Sequence, residues 1–137
     1  MPFLIKWPGV TKAGQRTRAL AQNIDFAPTF LEVGGVAVPE SMEGQSLVPI
    51  LENRDARGRQ AWLLEYWKYF PENFPSYVGV RSDTHKYIEY EKTLEPELFD
   101  LRADPGESHN LTGTPAGEKI LPELKGMLEA LKRGERM

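Results

Sequence analysis

Residues 3 to 7, Phe-Leu-Ile-Lys-Trp, form an apolar run broken by a single charge and stopped by Pro8-Gly9. Such a run reads as a strand buried on both faces, which needs neighbours on either side. Each of its apolar side chains left in water forgoes about 1.5–3 kcal/mol of burial. The first fifty residues do not close on themselves, so the strand is expected to pair with something outside this stretch of sequence.

The 137 residues suffice for about one domain with its own core. A 40% apolar and 27% charged composition is ordinary for a soluble globular chain, and a net charge of −3 gives no electrostatic reason to expect nucleic acid. No apolar stretch approaches the roughly 20 residues that span a bilayer, and the first ten residues lack the pattern of a signal peptide, so no membrane role or compartment is assigned. With no cysteine, disulfides, thiolate metal sites and a cysteine nucleophile are excluded within these residues. Asn110-Leu111-Thr112 has the form of a glycosylation sequon, a pattern common by chance.

Helical spacing of Phe26, Thr29, Phe30 and Val33 predicts a helix opened by Asp25 as N-cap, with Pro28 in its first turn, and ended by Gly34-Gly35. Leu47, Ile50 and Leu51 predict a further turn or two of helix after a Ser46 cap. The charged run from Asn53 to Gln60 reads as an exposed loop. Beyond it, AWLLEYW, SYVGVR, HKYIEY and ELFDL are short segments rich in aromatic and β-branched residues, the pattern of a four-stranded antiparallel sheet. Asp104-Pro105-Gly106 marks a turn. After Pro115, Ile120, Leu121, Leu124, Leu128 and Leu131 share one face of a helix that should lie on the sheet. The fold class is therefore α+β.

Five stretches, PFLIKWPG, NIDFAPTFLEVGGV, MEGQSLVPIL, YVGVRSDTHKYI and ELFDLRADPGESHNL, resemble in order the C-terminal part of the type I sulfatases, the sulfuric ester hydrolases. They look most like the branch acting on sulfated amino sugars, the mucin-desulfating or N-acetylglucosamine-6-sulfatases. The resemblance implies the C-terminal piece of an alkaline-phosphatase-like fold. Residues 1–52 would be the tail end of a catalytic α/β domain, 53–60 an exposed loop, and 61–137 an antiparallel-sheet subdomain with a terminal helix. The opening run then reads as a strand of the catalytic sheet, a cut edge with Met1 an internal methionine.

The family's chemistry, by the same resemblance, uses a formylglycine made from the Cys or Ser of a C-x-P-S-R-like motif, with calcium held by Asp and Asn oxygens. None of Ser41, Ser46, Ser76, Ser82 and Ser108 is followed by x-P-x-R, no two Asp are adjacent, and no Asp precedes Asn or His. Calcium and formylglycine are expected in the missing N-terminal part, and this chain alone is expected to be inactive because it lacks a nucleophile and charge neutralisation.

Candidate substrate contacts are Glu65, Tyr66 and Trp67, from an aromatic cluster that also includes Tyr69, Phe70, Phe74 and Tyr77, together with Arg81 and His85. Aromatic faces suit sugar rings, although core packing accounts for them equally. For Arg81, pairing with an acidic neighbour such as Asp83 competes with a sulfate. For Asn23 and Asp25, capping outweighs a metal site. The expected partners are the missing catalytic domain, or a second copy through the opening strand, and a sulfated carbohydrate for the full-length parent. Two other readings stand beside the sulfatase one: the same segment of a phosphonate or phosphate monoester hydrolase, and a non-catalytic self-associating module.

Overall fold

The computed structural model describes residues 3–53, 56–67, 75–91 and 94–135, and its contacts divide into two units, Met1–Arg59 and Gln60–Met137.

In the second unit the four expected strands form β1 (Ala61–Tyr66), β2 (Tyr77–Ser82), β3 (His85–Tyr90) and β4 (Glu97–Asp100). They pair in sequence order and all antiparallel, with Leu63 opposite Val80, Val80 opposite Tyr87 and Tyr87 opposite Leu98. Alternation puts Ala61, Leu63, Val78, Val80, Tyr87 and Leu98 on one face. On that face Ala61, Val80, Tyr87 and Leu98 form one core with Leu124 and Leu128 of the terminal helix α3 (Pro115–Lys132). Thr114 caps this helix, its hydroxyl accepting from Gly117 N at 3.1 Å, and Pro115 occupies the first turn. The helix sits so close to the preceding loop that a Cβ on Gly117 would run into the Leu111 carbonyl.

Polar side chains fold the connections. Ser82, buried at the β2 end, accepts from Thr84 N and His85 N and so closes the β2–β3 turn. After β4, Asp100 accepts from Arg102 N and Ala103 N, and Asp104 accepts from Ser108 N and His109 N. These bonds favour the ionised form and hold both carboxyls below the usual carboxylate range, Ala103 N–H weighing most on Asp100 and His109 N–H on Asp104. Asn110 accepts from Leu98 N and Thr112 N and donates to the Pro96 carbonyl, so the sequon's amide is spent inside the fold.

In the first unit α1 (Phe26–Val33) follows a 3-10 turn over Asn23–Asp25, and α2 spans Val48–Glu52. Gly34 and Gly35 end α1 as expected: Gly35 takes φ +70°, its N–H bonds the Glu32 carbonyl, and Val36 N–H bonds Leu31. Leu47, not Ser46, is the N-cap of α2; the Ser46 hydroxyl, one residue earlier, accepts from Val48 N at 3.2 Å.

Three further expectations need correction. Asp25 does not cap α1 with its side chain. It is 1% exposed, and its carboxylate accepts from Gln22 N at 2.8 Å, from Gln45 N at 2.8 Å and from the Arg59 guanidinium at 2.6 Å. It therefore closes the 3-10 turn and ties down two distant segments. Arg59, expected in an exposed loop, is in consequence buried, and its backbone pairs with Leu20. Residues 3–7 form no strand, because a ladder needs a second strand and no described residue pairs with them. Trp7 N–H bonds the Thr11 hydroxyl, Val10 and Thr11 N–H bond the Trp7 carbonyl, and Gly9 takes φ +84° to close the turn.

Candidate functional site

Register decides which of the proposed substrate contacts can act together. Tyr66 of β1 lies opposite Tyr77 of β2, and Tyr77 lies opposite Tyr90 of β3, so three tyrosines align across three strands on the face turned away from α3. Tyr66 and Tyr77 stack with centroids 5.6 Å apart, and Tyr77 meets Tyr90 edge-on at 5.9 Å. The Tyr90 hydroxyl donates to Glu97 at 2.9 Å, and burial, then that bond and the Glu97 charge, push its pKa up to about 12. Tyr66 is 42% exposed and Trp67, just beyond the strand end, is 64% exposed. Glu65 is exposed too, and alternation turns it to the opposite face from Tyr66. Tyr69, Phe70 and Phe74 lie outside the described residues.

Arg81 shares a face with Tyr66 but sits four positions along β2 from Tyr77, about 13 Å at ordinary strand rise. There its guanidinium lies over the Trp62 ring at 5.6 Å and 3.8 Å from Glu107, whose other oxygen takes the Lys86 ammonium. The acid beside Arg81 is thus Glu107 and not Asp83, which pairs with Arg102 at 2.8 Å. Glu107 reaches this place from a left-handed backbone, φ +54°, in the turn after Gly106. His85 belongs to a third place. It lies opposite Asp100 on the α3 side, and its Nδ1 is 2.8 Å from the Thr84 hydroxyl.

Tyr66 and Trp67 therefore adjoin, while Glu65, Arg81 and His85 do not converge on them. Trp62, Tyr90 and Glu107 were not singled out in the sequence. Hairpin register could have flagged Tyr90 opposite Tyr77, but no local pattern announces a carboxylate delivered by a left-handed turn.

Among the described residues no group of three or more His, Asp or Glu is placed to hold a metal ion. The sequence carries no C-x-P-S-R-like motif either, so the described residues do not fit a calcium site or a formylglycine.

A four-stranded antiparallel meander backed by one helix matches sulfatases of the alkaline-phosphatase-like fold. The solved structure of a protein bound to its substrate, D-glucosamine-2-N,6-O-disulfate, aligns with a TM-score of 0.87 and 36% identity over 94% of this chain and 27% of that one. The family model for the C-terminal region of N-sulphoglucosamine sulphohydrolase matches residues 1–134, and the chain belongs to that family. N-acetylglucosamine-6-O-sulfatase of Bacteroides thetaiotaomicron is 36% identical over 97% of this chain and 25% of its own length. A phosphonate monoester hydrolase from Silicibacter pomeroyi aligns with a TM-score of 0.72 and 27% identity, over 94% of this chain and 28% of that one. The chain thus spans about a quarter of the relatives it matches.

Proposed function

We propose that this chain completes a sulfatase that hydrolyses sulfate esters of amino sugars, supplying the C-terminal subdomain and part of one pocket wall. The observation that carries the reading is the 36% identity, sustained over nearly the whole chain, to a sulfatase acting at the 6-O position of N-acetylglucosamine and to a structure holding a disulfated glucosamine. Residues 1–52 belong in this reading to the catalytic α/β domain and 61–137 to the subdomain. The nucleophile and the calcium ligands come from the part of the protein that carries the other three quarters of the family's length. Within this chain Tyr66 and Trp67 are the residues best suited to a sugar: both are exposed, both are aromatic, and the ladder through Tyr77 and Tyr90 holds Tyr66 in place. Glu65 stands beside them in sequence. Arg81 and His85, held by Glu107 and Thr84 respectively, serve the fold first.

The test is sulfate release from N-acetylglucosamine 6-sulfate by the longest polypeptide encoded in frame through these residues. Release that stops on removal of calcium is the expected result. The phosphonate ester reading is supported by the structural match at 27% identity, and it takes over if the same polypeptide cleaves phenyl phosphonate esters and leaves the sulfated sugar intact.

A further inference from the structure

One row of side chains crosses all four strands on the sheet face turned away from α3. Trp62 of β1 stands opposite Arg81 of β2, Arg81 opposite Lys86 of β3, and Lys86 opposite Phe99 of β4. Two cations directly opposed across a strand pair repel, so the row carries a cost that its neighbours must offset. Each cation has an aromatic ring beside it: the Arg81 guanidinium lies over Trp62 at 5.6 Å, and the Lys86 ammonium over Phe99 at 6.0 Å. Between them stands a single carboxylate, Glu107, delivered from its left-handed turn. One acid against two bases leaves the row positive in a chain whose net charge is −3. The sharing is also unequal. The Lys86 ammonium donates to Glu107, whereas the Arg81 guanidinium stays 3.8 Å away, beyond hydrogen-bond range. Among the described residues no acceptor takes any of its five N–H groups, and the side chain is 35% exposed.

We propose that Arg81, seated on Trp62 with Lys86 beside it, binds a sulfate group of a sulfated oligosaccharide. A guanidinium held over an indole ring with its donors unspent is preorganised to grip two oxygens of one anion, a fit that a lysine ammonium lacks. The same face carries the row Tyr66, Tyr77 and Tyr90, with Tyr66 42% exposed and about 13 Å along the strands from Arg81. Several linked sugar rings cover that span, so a glycan sulfated along its length reaches both places at once. The substrate class is then an oligosaccharide and not a single sugar. The carbohydrate nature of the ligand rests on the sulfatase reading, while the positive row and the open guanidinium are properties of this chain.

The test titrates the 137-residue chain with a tetrasaccharide sulfated on its glucosamines, with the unsulfated tetrasaccharide and with sodium sulfate, reading the Trp62 indole N–H by NMR. The expected result is a saturable shift with the sulfated tetrasaccharide and several-fold weaker binding of the other two. Arg81→Gln should weaken binding about tenfold, the loss of a bidentate charged contact. Glu107→Gln, which removes the competing carboxylate, should tighten it several-fold, a gain that a residue merely bracing the turn would not give. Should Arg81→Gln fail to fold, Arg81→Lys keeps the charge without the planar fork and should weaken binding several-fold. No response at Trp62, or a response that neither Arg81 variant alters, overturns the proposal. Sodium sulfate binding as tightly as the tetrasaccharide would make the ligand a free anion, and tighter binding of a glutamate-rich peptide would make it a protein acid; either result overturns the carbohydrate assignment. The two readings fail separately. Sulfate release by the longer in-frame polypeptide with no Trp62 response overturns this site alone, and an Arg81-dependent response without esterase activity in that polypeptide overturns the sulfatase reading alone.

Discussion

The buried ion pair between Asp25 and Arg59 is the residue whose loss should be felt most in the first unit. Arg59→Met leaves the carboxylate buried with two backbone donors and no counter-charge, and should cost about 3–5 kcal/mol. Urea unfolding measures it, and adding Asp25→Asn to Arg59→Met should recover part of the loss. Titration makes a second prediction in the other unit. Tyr90 is raised in the fold to about 12 from an ordinary value near 10, so the folded state binds the proton more tightly than the unfolded one. Its contribution is complete below pH 10 and drains away as pH rises from there through 12. Tyr87, raised further, extends the same alkaline limb, with burial the largest cause and Glu89 the next. Asp100 and Asp104 act oppositely: both are lowered in the fold, so their contribution is present above the ordinary carboxylate value near 4 and is lost as pH falls below it. Thermal unfolding across pH should fall at both ends, and Asp104→Asn should flatten the acid limb. At the proposed pocket wall, Tyr66→Ala with Trp67→Ala in the longer protein should raise KM for N-acetylglucosamine 6-sulfate about tenfold and leave kcat within a few-fold, given the energy of aromatic contacts. An unchanged KM removes these residues from the wall.

Elements show which sequence signals were strong enough to stand alone. The α3 stripe was legible because five apolar residues at helical spacing admit one amphipathic face, and Leu124 and Leu128 are its most buried members. Leu128→Ala should cost about 2–5 kcal/mol in urea unfolding, since the cavity would open between the helix and Ala61, Val80, Tyr87 and Leu98. Gly117→Ala, a change that ordinarily favours a helix, should instead destabilise by about 1–3 kcal/mol, because the new methyl meets the Leu111 carbonyl. The strands were legible as segments, yet their faces were not. Tyr87 and Ile88, neighbours in β3 pointing to opposite sides, are both buried, so neither side of the sheet reads as simply wet. The opening run failed as a strand for the complementary reason. Its apolarity was read correctly, but a strand is a property of two segments, and the second is not among the described residues.

At the scale of the molecule the prediction is plain: the 137-residue chain, purified, should release no sulfate from N-acetylglucosamine 6-sulfate or an aryl sulfate, as ion chromatography would measure, and release would overturn the assignment of the nucleophile to another part of the protein. The sequence by itself determined the α+β class, the order of four strands and a helix, the likeness to sulfatases, and that no C-x-P-S-R-like motif stands in these residues, because periodicity, turn residues and motif words are local and need no partner. Tertiary structure alone decided that Glu107, and not Asp83, sits beside Arg81, that Asp25 binds Arg59 across 34 positions, and that Tyr66 lines up with Tyr77 and Tyr90 while His85 is turned to the other side. The Glu107 contact depends on a left-handed turn, the Asp25 pair on chain segments meeting far apart in sequence, and the tyrosine row on register. A shift of one residue in a strand reverses every face, and only the packed sheet selects which register is kept.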